Sequence, residues 1–282
     1  MLADANIHKS AVARQADITV DRVLDLYTSI VAGFLSAEHM QVFLEAATPV
    51  VRAGMGAAHS VSSSAYARTR RNEGVSGRFQ FPRQRTPNDE QIASSLKYLG
   101  FVAPRKRQQG VDVLWEVPLT DDDPVLTERA LGGGVGRRVV QQAMDSMVAA
   151  QRADARALGW ARVTQGDSRV CYFCSMLESR GPVYKSQSWL DSDSRFRDNL
   201  MPPEVLSGEL GAKTHDHCRC VLTPIFTRDS DVIENADKLY STWLDVQRRY
   251  EKVAAQLGWD MKQVWRLWWE GRIDDAIVRR MS

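Results

Sequence analysis

All four cysteines of the chain fall in two short clusters, Cys171-Tyr-Phe-Cys174 and His215-Asp-His217-Cys218-Arg-Cys220. Two thiols two residues apart, then a second thiol pair with two imidazoles beside it, is a pattern that folds around one tetrahedral metal ion. Zinc takes four Cys or His ligands, and structural sites draw them from two short pairs joined by a longer loop. Here 43 residues separate Cys174 from Cys218. A loop of that length exceeds that of a zinc finger, so the ion would close a whole loop-rich module. Six side chains compete for four places. The expected structural zinc site draws its ligands from Cys171, Cys174, Cys218, Cys220 and His215, with His217 as a further contender.

Other chemistry fits the same residues. A Cys-x-x-Cys pair serves redox exchange where a strand runs into a helix whose N-terminus stabilises the thiolate. Here the first pair follows Thr164-Gln-Gly-Asp-Ser-Arg-Val170, a turn leading into a short strand at most. Two disulfides would suit an oxidising compartment. The chain opens Met-Leu-Ala-Asp-Ala-Asn-Ile-His, without the basic start and apolar run of a secretory signal. Unliganded cysteines, a transient disulfide and a catalytic thiol therefore stand beside zinc as readings.

The residues around the clusters explain why a metal would be needed. Ala161-Arg-Val-Thr164 reads as a strand, Ser179-Arg-Gly-Pro182 as a turn, and Pro202-Pro203 with Gly208 and Gly211 as a long irregular stretch. Val221-Leu-Thr-Pro-Ile-Phe226 reads as a short buried strand. So few regular elements bury little apolar surface, and a bound ion then supplies the missing stability.

The rest of the chain reads as helix. Ile18, Val20, Val23, Leu24, Leu26, Tyr27, Ile30, Val31 and Phe34 recur at helical spacing between Asp17 and Leu35. Ser36 is placed to cap a second helix, with His39 at the position usually held by Glu. That helix is expected to continue through the small residues Ala53 to Ala65 to about Arg71, kinked or divided at Pro49. Residues 74–87 read as an extended arm. Asn88 caps a helix ended by Gly100, and Val111 to Val117 is strand-like. A helical region from Pro124 is interrupted at Leu131-Gly-Gly-Gly-Val-Gly136. This glycine run lacks the Gly-Lys-Ser/Thr ending of a phosphate loop and is expected to be a hinge. A good helix resumes from Val139 to Leu158, and Asp231 to Leu257 is amphipathic and stopped by Gly258.

The expected fold class is thus mainly α. Long N-terminal helices come first, then a small irregular α+β module clipped by the Cys/His site, then C-terminal helices. The corresponding domains are 1–130, with an irregular arm near 74–87; 131–229, the Cys/His module; and 230–282.

Hydrophobic residues make up 44% of the chain and charged ones 26%, enough apolar material for a real core. No apolar run approaches the roughly 20 residues of a membrane span. A net charge of +2 gives no global pull toward nucleic acid. Two local basic runs, Arg68-Thr-Arg70-Arg71 and Arg105-Lys106-Arg107, read as a solvated helix end and a solvated loop, and contact with nucleic acid would rest on them alone. Near the C-terminus Trp259, Trp265, Trp268 and Trp269 place four of eight tryptophans within eleven positions. They either pack on the protein's own helices or form an anchor for another protein, since Trp and Arg dominate interface hot spots.

The segment Asp167-Ser-Arg-Val-Cys-Tyr-Phe-Cys174-Ser-Met-Leu177, followed after a loop by His215-Asp-His-Cys-Arg-Cys220-Val-Leu-Thr-Pro224, resembles the minor head proteins of tailed bacteriophages typified by the F protein of phage Mu. Those proteins pair a Thr- or Asp-led Cys-x-x-Cys with a later His-x-x-Cys-Arg-Cys and an apolar tail ending in Pro. Asp216 stands where they usually carry Pro, and His217 is additional. Long helices ahead of the module look like the versions from phages of actinobacteria, which are often labelled capsid maturation proteins or proteases. The resemblance covers residues 125–226 well and the N-terminus in general character only.

The resemblance implies a virion component at or near the portal vertex, made in the bacterial cytoplasm and needed for head assembly. Implied partners are the portal protein and, beyond it, the major capsid or scaffold protein. Catalysis does not follow from it. Ser60 and His59 are helical neighbours that cannot face each other, and neither His-Glu-x-x-His nor His-x-Glu precedes a cysteine pair. A maturation protease acting on scaffold or capsid chains is the rival expectation, and a DNA-contacting head protein a second.

Overall fold

The computed structural model describes residues 1–84, 88–110, 114–117, 119–164, 172–179, 181–184, 219–274 and 276–277. Three long helices dominate these: α1 (Leu2–Val31), α2 (Ala37–Asn72) and α5 (Pro124–Ala153). Between α2 and α5 lie α3 (Asp89–Lys97), a π-helical turn over Tyr98–Val102, and α4 (Ala103–Gln109). The remaining elements are β1 (Gly159–Val163), α6 (Tyr172–Ser179), β2 (Val183–Tyr184), β3 (Val221–Ile225), α7 (Asp231–Leu257) and α8 (Met261–Trp269). The protein is mainly helical, as the spacing of apolar residues predicts.

The helix ends follow local chemistry. Ala32, in the left-handed region at φ 45°, closes α1. The Ser36 hydroxyl accepts the His39 amide at 3.1 Å and lies 2.9 Å from His39 Nδ1, capping α2. Asn88, Asp123, Ser230 and Asp260 cap α3, α5, α7 and α8 in the same way. Each such cap is worth about 1 kcal/mol. Gly258 at φ 68° ends α7.

Helices α1, α2 and α5 contribute to two apolar clusters. At one end Tyr27, Phe43 and Phe101 pack edge-on or tilted, with ring centroids 5.4 to 5.9 Å apart. Around them lie Val23, Val31, Leu35, Val51, Ile92, Leu96 and Leu131. Toward the other end the second cluster joins the sheet through Tyr66, Val139, Met144, Met147, Trp160, Val163, Leu222 and Ile225. Pairing runs β2-β1-β3, all antiparallel, with Gly159 opposite Ile225 and Val163 opposite Val221. Every residue of β1 and β3 is buried, and Pro224 is tolerated because β3 is an edge strand.

Several expectations are corrected. The glycine run is no hinge: α5 is continuous through Gly132, Gly133, Gly134 and Gly136. The glycines let helices meet closely. A Cβ on Gly132 would touch Val20 of α1 at 3.2 Å, and one on Gly134 would overlap Leu99. Helix α1 begins at Leu2, well before Asp17; its first half buries Val12 among Ala5, His8, Lys9 and Ala16, which are too small or polar to show apolar periodicity. Helix α2 passes through Pro49 undivided. Gly100 does not end a helix; Tyr27 of α1 lies over it and donates its hydroxyl proton to the Gly100 carbonyl at 2.9 Å. Residues 114–117 form a turn, and α5 ends at Ala153 instead of Leu158.

The arm is ordered by chemistry invisible in its own sequence. Arg70 donates to the carbonyls of Val75, Ser76 and Gly77 and sits 5.7 Å over the Phe79 ring. Phe79 and Phe81 then pack on Tyr66.

Candidate functional site

The buried strand β1 and the helix α6 meet around the cysteines. Cys174 lies in α6, and Cys220 immediately precedes β3. Both are buried, and their sulfurs stand 3.5 Å apart although the residues are 46 positions apart in sequence. Two thiolates on one tetrahedral zinc, each about 2.3 Å from the ion, are about 3.8 Å apart. One member of each expected pair therefore occupies ligand spacing, and the donor set suits a soft tetrahedral ion. Cys171, His215, His217 and Cys218 lie outside the described residues, and among those described no group of three or more His, Cys, Asp or Glu converges on one point.

Arg162 of β1 reaches the same place. It is 2% exposed, faces Leu222 across the ladder, and donates from Nη1 to Cys220 Sγ, with Nη2 3.9 Å from Met144 Sδ. A charged residue inside the run Trp160-Ala-Arg-Val163 is the one signal by which sequence could have found it.

The far end of α6 is tied by a second buried group. Glu178, 1% exposed, accepts from the Thr164 amide at 3.0 Å, from the Thr164 hydroxyl, and from Asn235 Nδ2 at 2.8 Å. Lys9 donates to the Thr164 carbonyl at 3.0 Å. Burial pushes the Glu178 carboxyl above its ordinary range, and the hydrogen bonds offset part of that. One carboxylate thus connects α6, the end of β1 and α7, with α1 attached through Lys9. No motif marks it.

The tryptophans lie on the opposite side of α6. Trp265 is wholly buried and donates from Nε1 to the Tyr172 carbonyl at 3.0 Å and to Ser175 Oγ at 3.2 Å. Its ring lies 5.1 to 5.5 Å from those of Trp243, Trp268 and Trp269. Trp265 is thus core, packed with Met176, Leu177, Val246 and Tyr250. Trp259, Trp268 and Trp269 are half-buried at the edge of this cluster.

Besides the Ser36–His39 pair at the start of α2, two serine–histidine pairs occur among the described residues, neither between Ser60 and His59. His8 Nε2 lies 3.1 Å from Ser62 Oγ, with His8 2% exposed and Ser62 fully buried. Burial, helped by Arg68, lowers the His8 pKa to about 4. His59 Nδ1 lies 2.9 Å from Ser146 Oγ, whose proton goes to the Gln142 carbonyl one turn back. A nucleophile needs its proton aimed at a base and an open face for substrate; the first pair is closed and the second hydroxyl is committed to the helix. The basic runs are similarly engaged. Arg68 pairs with Asp4 at 3.0 Å, Arg70 with Asp154 at 2.8 Å, and Arg107 with Asp121 at 3.0 Å. Arg105 is fully buried, donates to the carbonyls of Leu35, Leu114 and Val117, and lies 4.7 Å over Trp115.

A sequence model of the VG15 protein family matches residues 2–246, both long N-terminal helices and the cysteine module included. The chain belongs to the VG15 family. VG15 is a viral or phage protein family. No curated protein and no solved structure matches it. Among the described residues no helix is long and apolar enough to cross a membrane.

Proposed function

We propose that this VG15 protein is a structural minor head component of a tailed phage, assembled into the virion at the portal and made in the host cytoplasm. The observation that carries the reading is the family match over residues 2–246, joined to the resemblance of the cysteine segments to the Mu F type of minor head protein. Cys174 and Cys220, with Cys171, Cys218 and His215 as the other candidates, hold a structural zinc that closes the module between α5 and α7. When bound, zinc supplies a rigid tetrahedral crosslink. Cys174 holds α6 against the start of β3, and Glu178 fixes the other end of α6 to β1 and α7. Trp259, Trp268 and Trp269, half-buried beside Trp265, supply an apolar surface for the portal protein, or for the major capsid or scaffold protein.

The test is a phage deleted for the gene and complemented in trans. The reading expects the protein in purified virions, one zinc per purified chain, no disulfide, and capsid and scaffold proteins processed normally when Cys174 or Cys220 is replaced in a chain that still folds. Uncleaved capsid or scaffold protein alongside a folded variant would replace this reading with the maturation protease. Absence from virions would overturn it outright.

A further inference from the structure

We propose that the open groove between α3 and α5 docks an acidic peptide segment of another protein, with Arg138 taking its carboxylate. Glu90, Gln91, Ser94, Ser95, Tyr98 and Arg138 line this groove, which has a volume of about 550 Å³. Arg138 is the decisive residue. It is half-buried, and its Nη2 donates to the Gln91 carbonyl at 2.9 Å. Its Nε is buried and finds no acceptor, and no carboxylate among the described residues pairs with it. Arg52, Arg68, Arg70 and Arg107, in contrast, each hold one. Burial, and then the like charge of Arg137, push the Arg138 pKa below the ordinary arginine value. A guanidinium so placed is relieved by an anion, and its planar fork fits a carboxylate.

The other lining residues suit the rest of a peptide. Gln91, Ser94, Ser95 and Tyr98 recur at helical spacing and share one face of α3 as it runs into the π-helical turn. Their side chains, and that of Glu90, have no hydrogen-bond partner among the described residues. The turn leaves Tyr98 52% exposed while Phe101 enters the core, and such turns recur at functional sites. Hydroxyls and an amide both donate and accept, which matches peptide N–H and C=O groups. The Tyr98 ring offers an apolar face to a neighbouring side chain. Glu90 narrows the choice of anion: it accepts a peptide N–H, yet repels a phosphate, with its charge near −2, more than a single carboxylate. Neither the zinc nor a place in the virion enters into this recognition.

The experiment uses the full chain with its arginines labelled with nitrogen-15 and an end-blocked peptide, Leu-Asp-Leu-Asp-Leu, as the probe. The Asn counterpart of that peptide and inorganic phosphate are titrated in parallel. The Arg138 Nε–H signal, identified by its loss in Arg138→Lys, is followed by NMR, and Kd is taken from calorimetry. The expected result is a saturable shift of that signal with the Asp peptide and none with the other two at equal concentration. Arg138→Gln is expected to weaken binding about 10- to 100-fold, Arg138→Lys to keep part of it, and Tyr98→Ala to weaken it about tenfold. Should the Arg138→Gln chain fail to fold, Tyr98→Ala, at an exposed position, decides. A signal unmoved by the Asp peptide overturns the proposal. So does an equal response to the Asn peptide or to phosphate, or wild-type affinity in the folded variants.

Discussion

His8 and Asp154 show how single buried groups set the acid limit of the molecule. Burial keeps the His8 imidazole neutral down to about pH 4, while in the unfolded chain it takes up a proton near 6.5. Between those values the unfolded state binds more protons, so stability falls as pH is lowered through that window, by up to about 3 kcal/mol. Replacing His8 with Gln is expected to flatten urea-unfolding free energies between pH 6.5 and 4; an unchanged slope would assign the acid sensitivity elsewhere. Asp154 acts at lower pH. Burial pushes its carboxyl up, but hydrogen bonds from the Arg156 amide, Arg70 and Tyr66 outweigh that and hold it below the ordinary carboxylate range. Its contribution is present above the unfolded value and is lost as pH falls through the folded one. Asp154→Ala leaves Arg70 buried without this partner, and with it the anchor of the arm. A cost of about 3–5 kcal/mol is expected in thermal or urea unfolding, with increased protease cleavage between Gly74 and Phe81.

At the scale of elements, glycine decides how closely helices approach. Gly54 of α2 faces Thr19 of α1, where a Cβ would overlap Thr19 Oγ1 and come within 2.8 Å of Cγ2. Gly→Ala inside a helix normally gains about 1 kcal/mol of propensity. Here overpacking, at about 1–3 kcal/mol, exceeds that gain. Gly54→Ala should therefore lower the melting temperature, and adding Thr19→Ala should restore part of it. Simple additivity of the two substitutions would show that the contact does not limit the crossing. The Gly132–Gly136 segment obeys the same rule, which is why residues resembling a hinge form an unbroken helix.

For the whole molecule, α6 is the member shared by the sheet, α7 and α8. Trp265 fills the space over its Tyr172–Ser175 turn, so Trp265→Ala should cost about 3–5 kcal/mol, read by denaturant unfolding. Deleting residues 259–282 should lower the melting temperature by exposing Met176, Leu177 and Trp243. An unchanged melting temperature with lost virion incorporation would make the segment an anchor alone. Strong chelation is expected to lower the melting temperature of the cysteine module while far-UV circular dichroism keeps most of its helical signal, because α1, α2 and α5 bury a core of their own. Loss of all helical signal on chelation would show that the bundle depends on the ion.

Periodicity and capping residues by themselves determined that the chain is mainly helical, where α2, α3, α5 and α7 begin, and that Gly258 stops α7. Those signals are local: an apolar stripe, a cap or a left-handed glycine acts within one turn of the backbone. The clustering of the thiols likewise grouped Cys174 with Cys220, whose sulfurs lie 3.5 Å apart. Tertiary structure alone decided which tryptophan is core, that four arginines of the basic runs are engaged internally, and that Gly100 and Gly132–Gly136 are contact points instead of breaks. It alone brought Arg162, Glu178, Asn235 and Lys9 to the module. Each of these depends on a partner far along the chain, and burial can hold a charge or a bare glycine in place only once that distant partner has arrived.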